Sequence, residues 1–200
     1  MLDIFNNYEL QREELLARIA QELELNETRK QKMTEAYKKL LEVLKRDEVF
    51  FKDLKIELYA QGSVKISTTV KPINGEDFDL DTVLHIYDHY SKFDPNKVYN
   101  ALVRVIEGDA FFKTICEKKE RCVRLNYKED FHIDILPGCM VDLNDTNRIA
   151  IPEKKLHGWS PSNPRGFCNW FLEIAESQEH YLLKSVISSN YSFYRRIVHH

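Results

Sequence analysis

Residues 77–86 read Asp-Phe-Asp-Leu-Asp-Thr-Val-Leu-His-Ile, with an aspartate at every second position and then an apolar run. This pattern predicts a β-strand that enters a hydrophobic core. Because alternate side chains of a strand share a face, Asp77, Asp79 and Asp81 should point the same way. Like charges held that close repel one another unless a cation neutralises them. Oxygen ligands are those that Mg²⁺ prefers, so the stretch is a candidate metal site; a solvated acidic loop end is the alternative interpretation.

A glycine–serine turn lies upstream of this strand. Gln61-Gly62-Ser63 follows the alternating segment 55–59 and precedes the hydroxyl-rich segment 67–69. Glycine lets the backbone approach a ligand closely, and successive amides together with a serine hydroxyl can cradle phosphate oxygens. Gly-Ser pairs mark ordinary turns more often than phosphate sites, so this feature alone leaves both interpretations open.

A further aspartate lies in a separate apolar segment. Residues 131–137 read Phe-His-Ile-Asp-Ile-Leu-Pro, which places Asp134 inside a strand-like run. An unpaired buried carboxylate is costly, so Asp134 should have a partner or lie at a polar edge of the core. If this strand lies beside the first, Asp134 joins the other aspartates around the same cations. A metal pair can then lower the pKa of an attacking hydroxyl and offset the charge on a leaving pyrophosphate.

The rest of the chain alternates between helical and strand-like segments. Residues 8–44 carry apolar positions at helical spacing, with an interruption that ends at Thr28, the expected N-cap of the second helix. Pro95 is expected to open a helix over 95–106. Further expected segments are a helix at 167–175, a loop at 159–166, and strands at 55–59, 79–86, 111–115, 121–127 and 131–136. This order predicts an α+β fold in which helices pack on a mixed β-sheet.

Composition sets further bounds. Two hundred residues with 43% hydrophobic content suffice for one globular domain, or at most two small ones. A net charge of −3 and a pI near 6.2 argue against stable bulk nucleic-acid binding, which usually needs a basic excess. No apolar run reaches the roughly 18 residues of a membrane-spanning helix, so no membrane association is expected. The four cysteines lack a Cys-x-x-Cys pair or zinc-like spacing, which favours reduced thiols in a cytoplasmic protein.

The motifs together resemble the cGAS/DncV-like nucleotidyltransferases of the polymerase-β-like superfamily. The resemblance rests on Gln61-Gly62-Ser63, Thr68-Thr69-Val70-Lys71-Pro72, Asp79-Leu80-Asp81 and His132-Ile133-Asp134. The spacing from the Gly-Ser turn to the Asp-x-Asp pair is most similar to that of the CD-NTases of bacterial CBASS antiphage defence. The match covers residues 54–137, with a weaker echo at 162–167.

The resemblance implies a fold and an activity. The fold would comprise an N-terminal helical scaffold at 1–50, a nucleotidyltransferase core at 51–160, and the start of a C-terminal helical region at 161–200 that we expect to be truncated. The activity would be metal-dependent transfer of nucleotides from NTPs to a ribose hydroxyl, ending in a cyclic di- or oligonucleotide. ATP, GTP or other NTPs are the expected substrates, and a regulatory protein is a further expected partner.

Residue roles follow from the same resemblance. Asp79 and Asp81 would hold Mg²⁺ or Mn²⁺, and Asp134 would complete the metal site and help to activate the acceptor hydroxyl. The turn Gln61-Gly62-Ser63 would hold the triphosphate. Asp77 with Asp79 would also satisfy an Asp-x-Asp pattern; Asp79 and Asp81 are favoured because the apolar run starts directly after Asp81 and the spacing to Gly-Ser fits better.

Two other functions stay open at this point. One is a nucleotidyltransferase that acts on RNA or protein, against which the acidic charge balance argues mildly because polymer binding favours a basic groove. The other is a catalytically silent module that senses a nucleotide. The retention of every acidic ligand argues against that module, since a dead site has no need of mutually repelling carboxylates.

Overall fold

The computed structural model describes residues 2–72, 77–128, 130–153 and 157–177. Its strands are β1 Ile56–Ala60, β2 Phe78–His89, β3 Cys116–Lys118, β4 Val123–Tyr127, β5 Phe131–Asp142, β6 Asp145–Pro152 and β7 Trp159–Ser162. Its α-helices are α1 Leu2–Leu23, α2 Glu27–Lys45, α3 Gly62–Lys65, α4 Pro95–Gly108, α5 Phe112–Ile115 and α6 Pro164–Ser177. None of the described helices is long and apolar enough to cross a membrane.

The strands form one mixed sheet. Its order is β1-β2-β5-β4-β3, and β6 and β7 continue from the later part of β5. The β2–β5 pair is parallel, whereas the other pairs are antiparallel. Parallel neighbours need a crossover connection, and the chain between β2 and β5 supplies it with α4, α5 and the short strands β3 and β4. The expected α+β fold with a mixed sheet is confirmed.

The two faces of β2 meet different surroundings. Leu80, Leu84 and Ile86 are fully buried in the main core, which includes residues of α2 and α4. On the same face the Thr82 hydroxyl hydrogen-bonds the hydroxyl of Tyr37 in α2. The odd-numbered residues 79, 81, 83 and 85 therefore lie on the opposite face. Strand alternation thus sends the aspartates away from the core that holds β2 in place.

Local signals explain most of the helix boundaries. Asp94 caps α4 by accepting from the backbone N–H of Lys97, and Pro95 occupies the first turn as expected. The expected N-cap at Thr28 is wrong, because the side chain of Asn26 accepts from the N–H of Arg29 and α2 begins one residue later. Asparagine and threonine are both common N-cap residues. The type of cap was therefore predicted correctly, and its position was wrong by two residues.

The structure also corrects three other expectations. Residues 112–115 form the short helix α5, where a strand was predicted, and part of the predicted loop at 159–166 is the strand β7. The strand β6 was not predicted. The domain boundaries after residues 50 and 160 stay predictions, and residues 178–200 of the predicted C-terminal region lie outside the described residues.

Candidate active site

Two of the predicted ligands face each other across the parallel strand pair. Asp81 of β2 is the direct partner of Asp134 of β5, and Asp79 lies two residues earlier on the same face as Asp81. Asp77 is exposed and precedes the first residue of β2. The register therefore brings Asp79, Asp81 and Asp134 to one patch at the start of the two strands.

The surroundings of Asp81 disfavour its negative charge. Burial raises the pKa of this carboxyl group, and the charges of Asp134 and Asp79 raise it further. A carboxylate in this position gains from any cation that approaches it. The electrostatics of the patch are those of a site that favours a positive ligand.

The predicted glycine–serine turn, which the structure places at the start of α3, lies directly against Asp81. The backbone N–H of Gln61 donates to the Asp81 carbonyl at 2.8 Å. Gly62 has a φ of +59°, and a Cβ on it would lie 2.6 Å from the Asp81 Oδ2 atom. Glycine is required here for both reasons, since side chains rarely adopt this φ and none would fit. The predicted phosphate-binding turn and the predicted metal ligand are thus in contact.

Neighbouring groups hold the turn in its conformation. The Thr69 hydroxyl donates to Ser63 Oγ at 3.0 Å, and the N–H of Thr68 donates to the Ser63 carbonyl at 2.9 Å. Burial raises the pKa of the Cys168 thiol in α6, and the charge of Lys65 and a hydrogen bond with the backbone of Gly62 oppose that rise. The helix α6 therefore supports the turn that was predicted to hold the triphosphate.

Two basic side chains contact the predicted ligands. Arg124 of β4 makes a bidentate ion pair with Asp134, with Nε to Oδ1 and Nη2 to Oδ2 both at 2.7 Å. The same Nη2 lies 3.9 Å from Asp79 Oδ1. His132 Nε2 also contacts Asp79 Oδ1. The pair with Asp134 raises the pKa of Arg124 further above its usual value.

The family is decided by comparison with known proteins. The family model described as the Second Messenger Oligonucleotide or Dinucleotide Synthetase domain, SMODS, matches residues 11–174. The chain belongs to this family. That membership confirms the CD-NTase resemblance drawn from the motifs.

One curated relative and two solved structures show what this SMODS chain is similar to. A c-di-GMP synthase of Roseivirga ehrenbergii is 42% identical over 187 residues, which cover 94% of this chain and 50% of the relative. The CD-NTase CdnG of Bradyrhizobium diazoefficiens, solved in complex with GTP, aligns with a TM-score of 0.65 at 22% identity over 87% of this chain and 50% of CdnG. The E. coli MS115-1 CdnC, solved in a CdnC:HORMA-deltaN complex, aligns with a TM-score of 0.58 at 14% identity over 87% of this chain and 54% of CdnC. The chain spans about half the length of the curated relative it matches.

The donor set of the SMODS chain suits a hard divalent cation. All three predicted ligands offer carboxylate oxygens, and the charge on Asp81 is disfavoured until a cation balances it. Within the described residues, however, no group of three His, Cys, Asp or Glu side chains is already arranged to hold a metal ion. In this structure Arg124 engages both oxygens of Asp134. The three carboxylates have the chemistry that a hard divalent cation needs, while Asp134 is paired with the guanidinium of Arg124.

Sequence reasoning gave Arg124 no specific role in the SMODS site. The antiparallel β4–β5 pairing places position 124 directly opposite position 134. Opposite charges at directly paired positions of an antiparallel hairpin attract each other. Arg104, another arginine of the chain, makes a bidentate pair with Asp47.

Proposed function

We propose that the protein containing this chain is a metal-dependent nucleotidyltransferase that joins two molecules of GTP into a cyclic dinucleotide. One observation carries the proposal: Asp81 meets both the partner carboxylate of Asp134 and the turn at Gly62. A phosphate-cradling turn and a carboxylate pair are the two parts that a nucleotide transfer requires. The c-di-GMP synthase relative at 42% identity supports GTP as the substrate.

Each side chain has a role in this proposal. Asp79, Asp81 and Asp134 would hold Mg²⁺ or Mn²⁺, and Asp134 would also orient the acceptor hydroxyl. The bound ions would lower the pKa of that hydroxyl and offset the charge on the leaving pyrophosphate. The turn Gln61-Gly62-Ser63 would hold the triphosphate through its amides and hydroxyl. Each transfer forms a bond from a ribose oxygen to the α-phosphorus and releases pyrophosphate.

A regulated role in antiphage defence extends the same proposal. The CdnC relative was solved with a HORMA protein, which supports a protein partner for this chain as well. We expect the partner to change the rate of product formation without supplying any of the three carboxylates. Phage challenge of cells that carry the wild-type protein or Asp79→Ala/Asp81→Ala would test the role in antiphage defence.

Product analysis tests the activity directly. The natural protein containing this chain is incubated with Mg²⁺ and with GTP, ATP or mixed NTPs, and the products are identified by liquid chromatography and mass spectrometry. We expect a cyclic dinucleotide of guanosine and its loss in Asp79→Ala/Asp81→Ala, with the thermal unfolding transition retained. The matched control is Asp77→Ala, which removes an exposed aspartate from the same segment and should leave product formation intact.

Three outcomes would contradict the proposal. Full activity of Asp79→Ala/Asp81→Ala would show that the reaction does not need these two carboxylates. Labelled nucleotide on added RNA or protein, with no free cyclic product, would favour the polymer-acting alternative. NTP binding that is indifferent to Mg²⁺, measured by calorimetry, would favour the silent module.

A further inference from the structure

The third predicted carboxylate is held by an arginine of the same chain. Arg124 and Asp134 are direct partners of the antiparallel β4–β5 pair, so their side chains project from the same face. The fork of the guanidinium reaches both carboxylate oxygens, at 2.7 Å each. Paired charges with this bidentate geometry form the stronger class of hydrogen bond.

The position of Arg124 relative to Asp79 extends the pairing into the site. Its Nη2 atom lies 3.9 Å from Asp79 Oδ1, so one guanidinium lies between two of the predicted metal ligands. The side chains of Arg124 and Asp134 are only 26% and 20% exposed. Solvent screens such a pair less than it screens a surface ion pair. The guanidinium therefore supplies positive charge at the place where the carboxylate patch is predicted to hold a metal ion.

A second arginine–aspartate pair of the same chain provides a contrast. Arg104 also makes a bidentate contact with Asp47, but Asp47 Oδ2 accepts the backbone N–H groups of Phe50 and Phe51 as well. That pair closes a loop, and within the described part of the chain the ion pair of Arg104 involves a single aspartate. The Arg124 pair lies instead against Asp79, where further negative charge has to be balanced. The two pairs share their chemistry and differ in their surroundings.

We propose that Arg124 is an internal counterion that competes with the divalent cation for Asp134. This inference rests on the proposed function, because it takes the three aspartates to be the metal ligands. A metal ion and a guanidinium need the same carboxylate lone pairs, and their positive charges repel each other at short range. Binding of the ion is therefore coupled to release of Asp134 by Arg124. Arg124 is a positioning residue that offsets one of the three carboxylate charges when no ion is bound, and it sets the cation affinity of the site.

Manganese affinity in the absence of nucleotide tests this coupling. Free Mn²⁺ is measured by electron paramagnetic resonance during titration of the wild-type protein, Arg124→Ala, Arg124→Lys and Arg104→Ala. We expect Arg124→Ala to bind Mn²⁺ about tenfold more tightly, the equivalent of one charge-assisted hydrogen bond that no longer has to be broken. Arg124→Lys, which keeps the charge but loses the fork, should lie between the two. Arg104→Ala, the matched control, should bind Mn²⁺ as the wild type does.

Thermal unfolding gives a second readout on the same proteins. Since a ligand that binds only the folded state stabilises it, the rise in Tm on addition of Mn²⁺ should be larger for Arg124→Ala than for the wild type. Should Arg124→Ala fail to fold, Arg124→Lys decides the question by the same two measurements.

The outcomes separate this inference from the proposed function. Wild-type Mn²⁺ binding that is lost in Asp81→Asn, together with equal or weaker binding in the Arg124 variants, would overturn the competition and leave the metal site standing. Arg124 would then hold Asp134 in a position that the ion uses. Absence of Mn²⁺ binding from every variant would overturn the assignment of the metal ligands, and the competition with it.

Discussion

A methyl group at Gly62 would collide with the carboxylate of Asp81. The substitution Gly62→Ala places a Cβ 2.6 Å from Asp81 Oδ2, whereas ordinary contacts begin near 3.4 Å. It also forces alanine into a φ of +59°. Both effects act at the point where the predicted phosphate turn touches the predicted metal ligand, so one small change tests the geometry of the whole patch.

The cost of this substitution is the sum of two terms. A left-handed conformation costs a residue with a side chain about 1–2 kcal/mol, and forcing extra volume into a packed site costs about 1–3 kcal/mol. We expect the free energy of unfolding to fall by about 2–5 kcal/mol. In a domain of this size that corresponds to a drop in Tm of roughly 4–20 °C. If Asp81 rotates away instead, the stability loss is smaller but the ligand is displaced.

Activity should fall in either case. A displacement of a catalytic group by about 1 Å can reduce the rate about a hundredfold, so cyclic dinucleotide formation by Gly62→Ala should drop by about that factor or more. Calorimetry gives the Tm, and chromatography of the products from GTP and Mg²⁺ gives the rate. The matched control is Gly108→Ala at the end of α4, where an added Cβ meets no atom within 4 Å. Alanine favours the helix by up to about 1 kcal/mol there.

One result would refute the reasoning. If Gly62→Ala matches Gly108→Ala in both Tm and rate, the turn does not press on Asp81 and the close approach plays no part in the site. Loss of rate with an unchanged Tm would instead show that Asp81 moves to relieve the contact.

Two further predictions concern stability. Burial, together with the charge of Arg165 nearby, lowers the pKa of His85 to about 4. As the pH falls, His85 is therefore protonated in the unfolded chain before it is protonated in the folded protein. The free energy of unfolding should fall by up to about 3 kcal/mol as the pH drops from about 6.5 toward 4. Urea unfolding should show this loss in the wild type and not in His85→Phe. Asp47→Ala should destabilise more than Arg104→Ala, since Asp47 also accepts two backbone N–H groups; equal Tm losses would contradict this. Burial tends to raise the Asp47 pKa, but the Arg104 and backbone hydrogen bonds outweigh it and lower the pKa, so this stabilisation should persist above about pH 4 and fade in more acidic solution.

Secondary structure followed from the sequence where local chemistry specified it. The alternation in β2 and the proline that opens α4 act over a few residues, and both elements formed where they were expected. The strand predicted at 111–115 was wrong, because an apolar run of that length does not distinguish a strand from one helical turn. There the Asp109 side chain, which accepts from the N–H groups of Phe111 and Phe112, favours the helix.

The sequence by itself determined that Asp79 and Asp81 share a face, because strand periodicity fixes it. Its Gly-Ser turn and Asp-x-Asp spacing also predicted the family, which the family match confirmed. Only the tertiary structure decided that Asp134 meets Asp81, since a shift of the β2–β5 register by one residue would turn one of them to the other face. It alone placed Asp81 against Gly62 and Asp134 in the fork of Arg124. These contacts join distant parts of the chain, and the packing of the whole sheet sets their distances.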